Sequence, residues 1–165
     1  MATYRVIGKG EHNKYFDNNA RQDVIAYCFQ PNKTTHSYTG GRAVNIDRAA
    51  QAAFETNTLA QLYNNDDRVR LRHSVISFDT SENITPNQAA EIADAAIRYF
   101  GDKYQILYSV HEDAEHIHAH IVMNQVSFLD GRKYQGTRKE HYDFINYMKN
   151  VVRPYGIDFI PVSDT

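Results

Sequence analysis

Residues 106–124 constrain the fold of this chain more than any other stretch. Ile106, Tyr108 and Val110 alternate with Leu107, Ser109 and His111; Ile117, Ala119, Ile121 and Met123 alternate with His118, His120, Val122 and Asn124. Successive side chains of a strand leave opposite faces, so each run reads as a β-strand with one apolar face. Paired as a hairpin, the runs must match apolar face with apolar face, because a slip of one residue sends every apolar group to the wrong side. That register gathers His111, His118, His120 and Asn124 on the opposite face, with three imidazoles at the turn end. His118 and His120 then stand about 7 Å apart along the backbone, close enough to converge on one ion.

Four of the eight histidines fall within residues 111–120. The three that share a face suit a dication with one coordination position left for water or substrate. Neutral imidazoles leave the ion its full charge, which polarises a carbonyl or phosphoryl oxygen. A purely imidazole set favours Zn2+, Mn2+, Co2+ or Ni2+ over Mg2+. Asp113 and Glu115 lie in the turn, where they can orient imidazole N–H groups. His116 shares the parity of His118 but falls in the turn, as a reserve ligand or a substrate contact. A structural zinc site closes with four protein ligands, often cysteines; the single cysteine, Cys28, is far off in sequence among apolar residues and reads as packing. Hydrolysis and phosphoryl transfer both remain open. Twelve tyrosines and no tryptophan offer nucleophiles for phosphate and rings on which bases stack, but composition does not single one out.

A chain of 165 residues, 42% hydrophobic, is one globular domain able to bury its own core. One cysteine excludes a disulfide framework. No run reaches the roughly 18 apolar residues of a membrane span and the N-terminus lacks a signal-peptide pattern, so a cytoplasmic protein is expected. A net charge of −2 is not the footprint of a general nucleic-acid binder. The local basic groups, Arg68/Arg70/Arg72 and Arg132/Lys133 with Arg138/Lys139, matter only if they border the histidine face.

Along the chain, the pattern predicts a strand over 2–8, a helix over 19–30 stopped by Pro31, and a loop or weak hairpin over 32–45. A helix over 46–63 and a strand over 69–78 follow. Thr85-Pro86 marks a helix start, an N-cap with proline at the first helical position. That helix runs to Phe100 and ends at Gly101. After the histidine hairpin come a turn at Asp130-Gly131 and a last helix from Thr137 to Val152, stopped by Pro154. The order argues for an α+β fold, an antiparallel sheet packed by helices.

The run from His111 to Asn124, with Asp113, His116, His118 and His120 at their spacing, resembles the histidine motif of the VirD2-like conjugative relaxases, a relaxase/mobilisation nuclease family of the HUH endonucleases. The histidine–hydrophobic–histidine core is His118-Ala119-His120, with a small residue at the middle position. Val24-Ile25-Ala26-Tyr27-Cys28-Phe29-Gln30-Pro31-Asn32-Lys33-Thr34 resembles the N-terminal motif of that family, a tyrosine near a helix end followed by a turn. The strand 73–78 and the helix start at Thr85-Pro86-Asn87-Gln88-Ala89 follow in the family's order, so the likeness covers roughly residues 20 to 131.

The resemblance implies a site- and strand-specific nick at an origin of transfer, for conjugative transfer or mobilisation. Tyr27 attacks the scissile phosphodiester of single-stranded DNA, forming a 5′-phosphotyrosine link and freeing a 3′-hydroxyl. His111, His118 and His120 hold a divalent ion, Mn2+ or Mg2+ in function, with Zn2+, Co2+ or Ni2+ able to occupy the site. Asp113 orients a ligand imidazole or helps to deprotonate Tyr27. His73 stands behind a ligand or meets a phosphate, Asn124 bonds substrate or ends a strand, and Lys33 and Arg42 hold phosphates in the loop behind Tyr27. Implied partners are single-stranded or hairpin DNA at the origin, relaxosome accessory proteins and a coupling protein. The resemblance also implies a cytoplasmic protein that can travel with the DNA into a recipient cell. Such relaxases are longer, so residues 1–165 are expected to be a catalytic domain, the N-terminal part of a longer protein. The rivals are a rolling-circle replication initiator, whose tyrosine would be Tyr142 or Tyr147 on the last helix, a zinc-dependent hydrolase of small molecules, and a non-catalytic metal-stabilised domain.

Overall fold

The computed structural model describes residues 1–7, 19–34, 38–66, 68–112 and 116–162. Its centre is the hairpin that the alternation requires. Strand β4 (Tyr104–His111) pairs antiparallel with β5 (Ile117–Ser127), setting Val110 opposite Ala119, Tyr108 opposite Ile121 and His111 opposite His118. On the far side of β5 lies β3 (Leu71–Phe78), then β1 (Ala2–Ile7). Two short strands finish the edges: β2 (Thr39–Arg42) against β4 and β6 (Phe159–Pro161) against β1. The order is β2-β4-β5-β3-β1-β6, antiparallel throughout except for the β1–β6 pair.

The two faces of the sheet differ in kind. One is covered by α3 (Pro86–Phe100) and α4 (Arg138–Val152). There Ile106, Tyr108, Val110, Ala119, Ile121 and Met123 meet Ile92, Ile97, Phe144, Ile145 and Met148 in the main core. Each fully buried side chain of this size contributes about 1.5–3 kcal/mol. The other face carries α1 (Ala20–Cys28) and α2 (Ala49–Leu62) over a smaller cluster of Ile25, Cys28, Ala52, Ala53, Leu71, Leu107 and Val122. Past Leu107 and Val122, towards the β4–β5 turn, that face changes to Ser109, His111, His120 and His118.

Local signals explain the firm elements. Thr85 Oγ1 accepts from Gln88 N at 3.1 Å and the Gln88 side chain accepts from Thr85 N at 3.0 Å, closing a capping box ahead of Pro86. Gly101 ends α3 as expected, yet its φ is −69°. Glycine is required there for space, since a Cβ would lie 2.8 Å from Arg42 Cβ. At the Asp130-Gly131 turn the φ of Gly131 is +74°, which favours glycine.

Two expectations are revised, and one strand, β6, was not foreseen. The stretch 32–45 supplies an edge strand, β2, that pairs with β4 rather than with itself. Strand β5 runs past Asn124 to Ser127. Strand β6 has only three residues, too few to alternate, and exists because β1 offers it a partner.

A buried polar knot ties α1 to the sheet. The Arg21 guanidinium is 1% exposed; Nη1 donates to Asn57 Oδ1 at 2.9 Å, Nη2 meets Asp66 Oδ1 at 2.9 Å, and Nε donates to Asn124 Oδ1 at 3.3 Å. Asp66 also pairs with Arg70. Burial lowers the Arg21 pKa from its ordinary value, with the Asp66 carboxylate opposing that shift. The start of α1 is thereby anchored, and its far end carries Tyr27 to the histidines.

Candidate metal and nucleophile site

The end of β4 and the start of β5 hold His111, His118 and His120 on one face, as the hairpin register dictates. His111 and His120 are buried, 3% and 8% exposed, with ring centroids 4.0 Å apart; the His118 ring stacks 6.5 Å from that of His120. The last turn of α1 crosses this group. The Tyr27 ring stands edge-on at 5.6 Å from His111 and 5.8 Å from His120, and at 43% exposure its outer side faces solvent. Lys33 Nζ lies 5.5 Å from the Tyr27 ring centroid.

The backbone of α1 is pinned where Tyr27 needs it. The Cys28 carbonyl accepts from His111 Nε2 at 2.9 Å and from Ser109 Oγ at 2.6 Å, and Glu112 N donates to Lys33 O at 3.0 Å. A carbonyl only accepts, so His111 carries its proton on Nε2 and keeps its lone pair on Nδ1. His120 has a partner of its own, with Nδ1 3.0 Å from His73 Nε2. A proton on His120 Nδ1 leaves Nε2 as the ligating atom. Metal-bound histidines characteristically donate their second N–H to a carbonyl or another acceptor, which fixes tautomer and orientation. Both His111 and His120 have such a partner, so the donor set fits a divalent ion.

Other residues are distributed unevenly about this site. His73 is buried on β3 directly against His120, their ring centroids 5.2 Å apart. His116 is exposed just before β5, 6.4 Å from the His118 ring. Asn124 shares the histidine face but is absorbed in the Arg21 knot: Nδ2 donates to Thr56 O and Gln105 Oε1, and Oδ1 accepts from Arg21 Nε. The structure does not bring it to the imidazoles, because Asn124 lies about 13 Å along the strand from His120. Nor does it bring Arg42 there. Arg42 leaves the opposite face of the sheet, where it lies against Gly101 and pairs with Asp94 at 3.9 Å. Asp113 and Glu115 lie outside the described residues. The tyrosines of α4 are on the far side of the sheet, and Tyr147 Oη donates to Ala95 O at 2.8 Å.

Cys28 packs as the sequence reading expects, and it also stands closer to the histidines than that reading showed. Its side chain is fully buried in the smaller apolar cluster, as packing requires, and burial pushes the thiol up to about 12. Yet Cys28 Sγ, His73 and His120 bring ligand-type atoms within 4.8 Å of one another. The only signal in the sequence was adjacency, since whatever places Tyr27 at a histidine face must also place its neighbour there.

Fold and site together define an α+β domain whose central antiparallel strands end in a histidine face, with a tyrosine-bearing helix laid across it. The chain belongs to the MobA/VirD2-like relaxases, whose nuclease-domain profile matches residues 27–157. It is similar to the protein rlx of Staphylococcus aureus, 27% identical over 117 residues, covering 71% of this chain and 36% of that protein. It is also similar to the group II intron-interrupted relaxase LtrB of Lactococcus lactis subsp. cremoris, 29% identical over 136 residues, covering 81% of this chain and 22% of that one. The chain thus spans about a third or less of the length of these relatives. A solved structure described as the molecular basis of vancomycin resistance transfer in Staphylococcus aureus shares the fold, with a TM-score of 0.52 at 16% identity over 78% of this chain and 75% of that one. Among the described residues no helix is long and apolar enough to cross a membrane.

Proposed function

We propose that this domain nicks one strand of DNA at an origin of transfer, using Tyr27 as the nucleophile and His111, His118 and His120 as the holders of a divalent ion. The observation that carries the reading is the placement of an exposed tyrosine ring within 6 Å of two buried imidazoles of the set. A bound Mn2+ or Mg2+ would draw charge from the phosphate oxygens. The protein's own residues do the rest.

The Tyr27 phenol oxygen attacks the scissile phosphorus in line with the departing 3′-oxygen. The tyrosine bond to the 5′-phosphate forms as the P–O bond to the 3′-oxygen breaks; the phenol proton passes to solvent or to Asp113, the base that the family resemblance suggests, and the departing 3′-oxygen takes a proton from solvent. A phenolate leaves more readily than an alkoxide, so the covalent link stays reactive and the strand can be rejoined. Lys33 sets a positive charge beside the ring, where an incoming phosphodiester would lie. His73 holds the His120 tautomer, and the Cys28 carbonyl holds that of His111. His116, exposed at the mouth, is left for contact with the strand. Relaxosome proteins, a coupling protein and passage into a recipient cell belong to the same proposal, for the longer protein of which this domain would be the catalytic part.

The test is a denaturing gel of the protein with single-stranded oligonucleotides carrying candidate transfer origins, with Mn2+ or Mg2+ and with chelator. The expected result is a metal-dependent protein–DNA adduct that Tyr27→Phe abolishes and Tyr147→Phe leaves in place. An adduct that survives Tyr27→Phe overturns the nucleophile assignment. Turnover of a small phosphoester with no adduct under any condition would replace the reading with a metal-dependent hydrolase.

A further inference from the structure

The histidine face carries more donor atoms than the three-imidazole set uses. Beside His120, Cys28 Sγ and His73 complete a second group whose ligand atoms all lie within 4.8 Å of one another. All three residues are buried, at 0%, 6% and 8% exposure for Cys28, His73 and His120. The group is held from three independent elements: α1, β3 and β5. Its cysteine is fixed in place because the Cys28 carbonyl is bonded by both Ser109 and His111.

We propose that Cys28 Sγ, His73 Nε2 and His120 Nδ1 form a second cation site, selective for a thiophilic divalent ion of the zinc class, that takes His120 away from the three-imidazole set when filled. A tetrahedral zinc, with bonds of about 2.3 Å to sulfur and 2.0 Å to nitrogen, holds its donors roughly 3.3–3.6 Å apart. His73 Nε2 and His120 Nδ1 are already 3.0 Å apart and the sulfur belongs to the same group within 4.8 Å, so an inward movement of the sulfur completes the geometry, with water as the fourth ligand. On binding, the thiol proton passes to solvent as the S–metal bond forms. The two imidazoles bind neutral, His73 with its proton on Nδ1 and His120 with its proton on Nε2.

The exclusion follows from the His120 tautomer. In the three-imidazole set His120 ligates through Nε2 and carries its proton on Nδ1, toward His73. In the thiolate site it ligates through Nδ1 and carries the proton on Nε2. A neutral imidazole cannot serve both ions at once. Soft thiolate selects zinc-class ions, whereas Mn2+ and Mg2+ have little affinity for it, so the same protein would be silenced by one class of cation and served by the other. The exclusion, though not the binding, rests on the three-imidazole reading.

The test is a Co2+ titration of the metal-stripped chain followed by absorbance. Cys28 is the single cysteine in the sequence, so a thiolate-to-cobalt charge-transfer band in the wild-type protein can come from no other residue, whatever variants do to folding. The expected result is that band, retained in His118→Ala, weakened at least about tenfold in Co2+ affinity by His73→Ala, and suppressed by excess Mn2+. Cobalt ligand-field bands without charge transfer would overturn the thiolate site and leave the three-imidazole reading intact. A charge-transfer band that persists while Mn2+ is bound would overturn the exclusion. A charge-transfer band with Mn2+ binding unchanged by His111→Ala and His118→Ala would instead overturn the three-imidazole reading.

Discussion

His73, on β3, packs its ring 5.2 Å from that of His120. Its Nε2 lies 3.0 Å from His120 Nδ1, so its effect on the chemistry passes through the orientation of a ligand ring. Removing such a partner typically lowers metal affinity 10- to 100-fold. His73→Ala is therefore expected to weaken Mn2+ binding by about that factor in calorimetry, with His73→Gln restoring part of the loss because an amide oxygen can still accept from Nδ1. Chelation alone should leave the fold in place, since the main core lies on the other face of the sheet; far-UV dichroism that collapses on metal removal would assign the site a structural role instead. Cys28, buried and with its thiol raised to about 12, is expected to resist alkylation at neutral pH in the native protein and to react on unfolding. His73 was legible in the sequence as a strand histidine, but its partner was not, because residues 73 and 120 meet only through the β3–β5 pairing.

Helix α1 gives Ala20, Ile25 and Cys28 to the smaller apolar cluster, with Val24 packed against it, and polar anchors hold its two ends. At the start, Arg21 bonds Asn57, Asp66 and Asn124; at the end, the Cys28 carbonyl takes His111 and Ser109. Arg21→Ala strips a buried ion pair of one partner and is expected to cost about 3 kcal/mol, a fall of roughly 6–12 °C in Tm for a chain of this size. It should also lower adduct formation more than Thr85→Ala. The latter loses a cap worth about 1 kcal/mol on the face that does not carry Tyr27. Equal effects on adduct yield at matched folded fraction would remove α1 anchoring from the account. The ends of α3 and α4 could be read from Thr85, Pro86 and Thr137 because caps act within one turn. Strand β6 could not, because three residues carry no period.

At the scale of the molecule, a net charge of −2 means that the DNA of the proposed function would have to be held by a local field. Engaging three phosphates of a single strand would lower the binding constant roughly 20-fold between about 50 and 200 mM salt. Lys33→Ala should reduce the slope of log K against log salt by about 0.7, whereas Arg42→Ala, on the opposite face, should leave it unchanged; anisotropy titrations read both. The sequence by itself determined the central hairpin, its register and the three-histidine face, because alternation with a period of two is local and one slip would bury polar groups. Tertiary structure decided what surrounds that face. It brought Tyr27 over His111 and His120, set Cys28 and His73 beside His120, drew Asn124 into the Arg21 knot, and sent Arg42 and the α4 tyrosines to the other side of the sheet. The physical reason is that a pattern tells which side of an element is apolar, whereas which helix covers which sheet face, and which distant atom wins a hydrogen bond, depends on long connections that no local period encodes.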